Sequence, residues 1–336
     1  MTTLAQRADL PSSQPSRVAV WFVKFFLILL PFASAWASTI TIAGLPPVRL
    51  LVVVLVLAAL AARPRVEIVS QVLIAVGMFW IAMGLFLMRD AESLKEILGV
   101  LVGLLTMISL TLVGHGLSWI ILMCRAWLGG VIIAILPGLF EIATGKHMPN
   151  YRLGASAYVR RTATDIASFM VNPNLFAYFI TAGMVALIVG WQLEKGWLKW
   201  TYFIVALLVA PVTWFTGSRL CMAACLVLLA WMCVRSRVLT MIAAIRRAGG
   251  HPGYTETILL QAVGVSLLLC PVLAMANSSY LKAPAVWCQM ATIALWCQYL
   301  LRTSLSPRRS VKYHVDDRRL PRRRRVLARA ISADQK

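Results

Sequence analysis

Apolar runs of about 17–25 residues, separated by short polar breaks, recur along almost the whole chain, and each is long enough for a helix to cross a hydrocarbon core. Lipid offers no partner to an unpaired backbone group, and the alternating ten-residue segments of a membrane barrel are absent. The pattern therefore predicts an all-α polytopic membrane protein. Ten spans are read, at about 18–37, 43–62, 68–88, 97–113, 118–140, 167–191, 198–215, 219–234, 257–276 and 284–301. The first ends in Ala35-Trp36-Ala37, which mimics a signal-peptidase site. Lys24 interrupts its apolar core and Pro31 lies late in it, so an uncleaved anchor is expected. The domain organisation that follows is a polar N-terminal tail at 1–17, a membrane domain at 18–301 and a basic tail at 302–336. No internal repeat at a fixed period is found.

Composition sharpens this picture. With 60% hydrophobic and 13% charged residues in 336, the chain is excluded from the soluble globular class. Placing the N-terminus inside puts 22 Lys and Arg on the cytoplasmic side and 9 outside, so both termini are expected in the cytoplasm of a multi-pass protein of the cytoplasmic membrane. The tail decides that vote, since it holds twelve of the 22. Its densest point is Arg322-Arg323-Arg324-Arg325, a segment attracted to anionic headgroups by about 1 kcal/mol per basic residue near the surface. It lacks the interleaved aromatics of a nucleic-acid binder, and no nucleic-acid partner is expected. The seven cysteines all fall in predicted spans, none in a Cys-x-x-Cys pair, and read as small apolar fillers. Cys221 and Cys225 share a helical face without a nearby His or carboxylate, so neither a metal site nor any cofactor is expected.

Five of the nine outer cations lie in one stretch, 141–219: Lys146, Arg152, Arg160, Arg161 and Arg219. Positive charge on the translocated side works against topology, and an anionic ligand would compensate for it. Two apolar spans meet this stretch at polar starts, Asn172-Pro173-Asn174 and Thr216-Gly217-Ser218-Arg219. Asn172 and Ser218 read as N-caps; they are either plain caps or helix starts that present free amides and a positive dipole end to phosphate oxygens. Arg219 favours the second reading. It is an arginine in the first turn of an apolar helix with no carboxylate within four residues, able to grip a diphosphate bidentately. Arg152, Arg160 and Arg161 either join it or are solvated. Three groups compete as a base toward an acceptor hydroxyl: His147, the one histidine expected on the outer face, Asp165 and Glu141. For His147 the alternative is a solvated loop residue.

Taken together, Glu141-x-x-Thr144-Gly145-x-His147-x-Pro149, Arg152, Asn172-Pro173-Asn174 and Thr216-Gly217-Ser218-Arg219 resemble the O-antigen ligase and polysaccharide polymerase family over about 136–235. The resemblance implies an all-helical, metal-independent glycosyltransferase of the outer leaflet that takes a glycan from a polyprenyl-diphosphate carrier and attaches it to an acceptor sugar, for cell-surface or exopolysaccharide synthesis. It assigns the diphosphate to Arg219 and makes other polysaccharide-assembly proteins natural partners. Many members carry a large external loop with further Arg and His residues. Here the last outer loop is only Asn277 to Ala283, with Lys282 as its sole charge. Two other functions remain open: a transporter or flippase for lipid-linked glycans, against which stands the lack of charge along a midplane path, and a non-catalytic binder of the carrier lipid.

Overall fold

The computed structural model describes residues 16–36, 47–62, 66–87, 91–149, 151–152, 155–156, 158, 163–246, 258–264, 266 and 284–305. All regular structure among them is helical. The helices are α1 (Arg17–Trp36), α2 (Pro47–Ala61), α3 (Ile68–Leu87), α4 (Ala91–Val113), α5 (Leu117–Thr144), α6 (Pro173–Leu193), α7 (Trp197–Phe215), α8 (Arg219–Arg246) and α9 (Pro284–Leu305), with a helical stretch at 258–264 before the last. Five of them, α1, α3, α5, α6 and α7, are long and apolar enough to cross a membrane, and α2, α4 and α8 contain shorter apolar segments. The described part of the chain is thus all helical and suited to a membrane. Most of the ninth expected span and the basic tail lie outside the described residues.

The bundle is built around α6. Its flanks are covered by α5, α7 and α8, and α1 packs on the far side of α5. Small residues permit these approaches. A Cβ on Gly183 of α6 would run into Val131 and Trp127 of α5, and one on Gly130 of α5 would lie 2.7 Å from the Pro31 Cβ of α1. Close packing of this kind replaces the hydrophobic driving force, which lipid removes between helices. Polar contacts tie α9 to the same centre: Trp127 Nε1 donates to Thr292 Oγ1 at 2.9 Å, and Tyr178 Oη donates to Gln289. The charged residues placed inside spans by the sequence also have partners. Lys24 Nζ sits over the Trp119 ring, 5.5 Å from its centroid, and Arg125 Nε donates to Glu194 at 2.6 Å.

Two boundaries differ from the expected spans, and both differences build the site. The fifth helix does not stop at 140 but runs on to Thr144, so Glu141 sits on its last turn instead of opening a loop. The sixth begins at Pro173 and not at 167, because residues 167–172 form a turn whose amides are used elsewhere.

Candidate functional site

At its C-terminal end α5 closes on Gly145, which takes the left-handed conformation (φ 65°) and donates its N–H to the Glu141 carbonyl. The Glu141 side chain is wholly buried. A carboxylate removed from water is costly unless its lone pairs are filled, and here three backbone amides fill them. Met148 N donates to Oε1 at 2.9 Å, while Ala167 N and Ser168 N donate to Oε2 at 2.8 and 3.1 Å. One side chain therefore pins both ends of the intervening loop to α5. Ser168 adds a second anchor by donating its Oγ to the Ala134 carbonyl, close to where Pro137 interrupts the helix ladder. The positive φ of Ser168 (56°) is unusual for a residue with a side chain, and these bonds hold it there.

Inside that loop several polar groups pair with one another, while His147 Nδ1 and Arg152 Nε are buried with no hydrogen-bond partner. His147 stacks on Tyr151, with ring centroids 3.8 Å apart and planes 8° from parallel. Its Nε2 lies 3.1 Å from the Ala163 carbonyl, an acceptor only, so Nε2 carries the proton and donates. Nδ1 is buried without a hydrogen-bond partner, 3.8 Å from Glu141 Oε1. Neither ring nitrogen faces an incoming hydroxyl. Tyr151, itself buried, donates its Oη to Asp165 Oδ1 at 3.0 Å, and Arg152 Nη2 donates to Asp165 Oδ2 at 2.5 Å. Burial first, and then the bond to Asp165, pushes the Tyr151 phenol up to about 12, and the bond to Asp165 pushes the Arg152 guanidinium further up. Arg152 also has a positive φ (44°), fixed by its N–H to the Val171 carbonyl at 2.8 Å.

The loop is laid against the corner between α7 and α8. Ile166 N donates to the Phe215 carbonyl at 3.1 Å, and a Cβ on Gly217 would lie 3.9 Å from that of Asp165. Gly217 turns this corner at φ 70°, a conformation that glycine adopts without strain. Ser218 is buried, receives its place from a Thr216 Oγ1 bond to its N–H (3.3 Å), and starts α8 by accepting from Met222 N at 3.0 Å. Arg219 follows, exposed and with no hydrogen bond or ion pair among the described residues. Asn172 caps α6 as a local motif: its Oδ1 accepts from Asn174 N at 2.9 Å, with Pro173 in the first turn. Trp36 at the end of α1 touches Phe169, 4.9 Å between centroids, which closes the far side of the loop.

Of the residues singled out from sequence, His147, Arg152, Asp165, Asn172, Asn174, Ser218 and Arg219 are gathered at this one end of the bundle. Arg160 and Arg161 lie outside the described residues. The geometry separates residues the sequence could not. Arg152 is already neutralised by Asp165, Glu141 is a fastener too deeply buried for an acceptor to reach, and Arg219 alone among the described arginines of this end stands open. Sequence reasoning missed the part played by Tyr151, although an aromatic residue three positions from a turn and next to an arginine is a fair signal for a stacked support. No group of three or more His, Cys, Asp or Glu side chains placed to hold a metal occurs among the described residues. No protein-family model, curated protein or solved structure matches the chain.

Proposed function

We propose that the protein is a membrane glycosyltransferase of the O-antigen ligase and polymerase type, which moves a glycan from a polyprenyl-diphosphate carrier to an acceptor sugar at the outer face of the cytoplasmic membrane. The observation that carries this reading is Arg219, a charged, exposed and unpartnered guanidinium in the first turn of α8, beside a loop in which Arg152 and Asp165 neutralise each other. An arginine so placed, with the amide dipoles of the α8 start behind it, suits a diphosphate. In the transfer, the acceptor hydroxyl oxygen bonds to the anomeric carbon, and the bond from that carbon to the diphosphate oxygen breaks. The diphosphate leaves with the electron pair, held by Arg219. The hydroxyl proton goes to Asp165, whose carboxylate is oriented by Tyr151 and Arg152 and remains partly open to solvent, whereas both nitrogens of His147 are turned inward.

The ten-span topology with both termini in the cytoplasm belongs to the same proposal, because it sets 141–219 on the outer face. The deciding experiment is turnover of a polyprenyl-diphosphate oligosaccharide by the purified protein, beside Asp165→Asn and His147→Gln. Transfer that survives His147→Gln and collapses in Asp165→Asn supports the assignment. Binding of the lipid-linked oligosaccharide without turnover would convert the reading to a non-catalytic binder, which the short 277–283 loop would suit.

A further inference from the structure

The opposite end of α5, about 42 Å from Thr144 along a helix of 28 residues, is built differently. It starts after Gly116 (φ 88°), no side chain caps it, and the amides of Leu117 and Ser118 have no acceptor among the described residues. A narrow surface cleft opens there, lined by the α4–α5 turn (Gly114, His115, Gly116), by Trp119 and, from α9, by Gln298 and Arg302. Gln298 is only 3% exposed. Its Nε2 donates to the Thr111 carbonyl at 2.7 Å and lies 3.1 Å from His115 Nδ1, yet its Oε1 is buried with no partner at all. An orphaned buried acceptor lining a cleft needs a donor. Two cations stand nearby: Arg302 on the cleft itself and Lys24 over the Trp119 ring. Glu67 forms a loose ion pair with Arg302, its Oε1 3.9 Å from Arg302 Nη1, and lies 3.6 Å from His115 Nδ1, both contacts too long for a hydrogen bond.

We propose that this cleft binds a phosphate group whose carrier also bears a hydrogen-bond donor, the chemistry of an anionic phospholipid headgroup such as phosphatidylglycerol. The free amides and dipole end of α5 take the phosphate together with Arg302, a headgroup hydroxyl donates to Gln298 Oε1, and Trp119 and Leu295 give the glycerol region an apolar wall. The chain beyond Arg302 carries eleven more Lys and Arg, a composition that draws this end toward an anionic surface. The site is separate from the proposed glycan transfer and does not depend on it.

The test uses the full chain in neutral detergent, with binding read by native mass spectrometry and by the shift in melting temperature. The probes are short-chain phosphatidylglycerol, short-chain phosphatidylcholine and inorganic phosphate. Ser118→Asp is the informative variant, because a carboxylate at the second position of α5 stabilises the helix start while repelling an anion. The expected result is that phosphatidylglycerol binds more tightly than phosphatidylcholine, whose headgroup offers Gln298 no donor, and that Ser118→Asp and Arg302→Gln each weaken it by about tenfold with unchanged or raised melting temperature. Inorganic phosphate binding that is equally sensitive to Ser118→Asp, without lipid preference, supports the same site with free phosphate as its ligand. Phosphatidylglycerol binding unaltered by both substitutions, or no binding by any of the three probes, overturns the proposal.

Discussion

The 141–172 loop and the α7–α8 corner touch each other, carry similar charges in sequence, and treat those charges in opposite ways. In the loop, Glu141 is filled by three amides, Asp165 by Tyr151 and Arg152, and His147 by a carbonyl and a stacked ring. At the corner, Ser218 is tucked under and Arg219 is left without a partner. Glu141, His147 and Arg152 of the loop are spent on its own shape, while its Lys146 and the corner's Arg219 stay exposed and unpaired among the described residues. The cations of this stretch are therefore two populations. What distinguishes them is whether a carboxylate of the same chain reaches them first, which is a property of packing and not of composition.

The sharpest way to break this contrast is to remove the fastener. Glu141→Ala leaves three buried amides without an acceptor and should cost about 3–5 kcal/mol, read as a large drop in melting temperature in detergent and as rapid proteolysis within 145–168. Glu141→Gln keeps an acceptor oxygen and should lose roughly half as much. If Glu141→Ala is as stable as the wild type, the loop is not held from α5 and the comparison fails.

Next in size is the corner, where the expected loss is in turnover and not in folding. Arg219→Ala and Arg219→Lys should both fold normally, since the side chain makes no contact that supports the bundle. Each should lower the transfer rate by about 2–4 kcal/mol of transition-state stabilisation, roughly two to three orders of magnitude, because lysine keeps the charge but not the bidentate geometry. Normal turnover by a well-folded Arg219→Ala protein would remove Arg219 from the mechanism, leaving the corner as an ordinary helix start.

These two predictions also show what the sequence could reveal. The α6 start was readable because a cap is local: Asn172, Pro173 and Asn174 make it within three residues. Glu141 was not, because its partners Ala167 and Ser168 are 26 and 27 positions away, and nothing along the chain says that a glutamate at a helix end will be buried by a returning loop. Apolar helices were evident from hydropathy, whereas their place in the bundle was not. α3 is more apolar than α6, yet 11% of its span is buried against 83% for α6. What sets α6 at the centre is small residues such as Gly183 meeting Trp127 and Val131, and hydropathy cannot distinguish a residue facing lipid from one facing a helix.

A third, smaller effect comes from unfastening Arg152. Asp165→Asn replaces an ion pair by a bond from a charged donor to a neutral acceptor and should cost about 1–2 kcal/mol of loop stability, visible as faster amide exchange at 151–152 and 165–168. It also turns Arg152 from a member of the closed population into one of the open kind. Affinity for inorganic pyrophosphate at this end should then rise in Asp165→Asn while transfer falls. If pyrophosphate affinity is unchanged, the salt bridge is not what withholds Arg152 from anions.

The smallest effect tests how closed the loop is, through pH. The Tyr151 phenol ionises near 10 in the unfolded chain and is pushed up to about 12 in the folded one, by burial and by its bond to the Asp165 carboxylate. Because the folded value is the higher, the unfolded state loses its proton first. The contribution of Tyr151 to stability is therefore fully present below about pH 10 and is lost as pH rises toward 12. The wild type should show that decline in a chemical-denaturation series at alkaline pH, and Tyr151→Phe should lack it while being uniformly less stable below pH 10 by about 1 kcal/mol for the lost hydrogen bond. The comparison between the two proteins cancels the titration of lysines and other tyrosines, which both share. Parallel curves for wild type and Tyr151→Phe across that range would mean that water reaches the phenol, and the loop would then belong with the corner as an open surface.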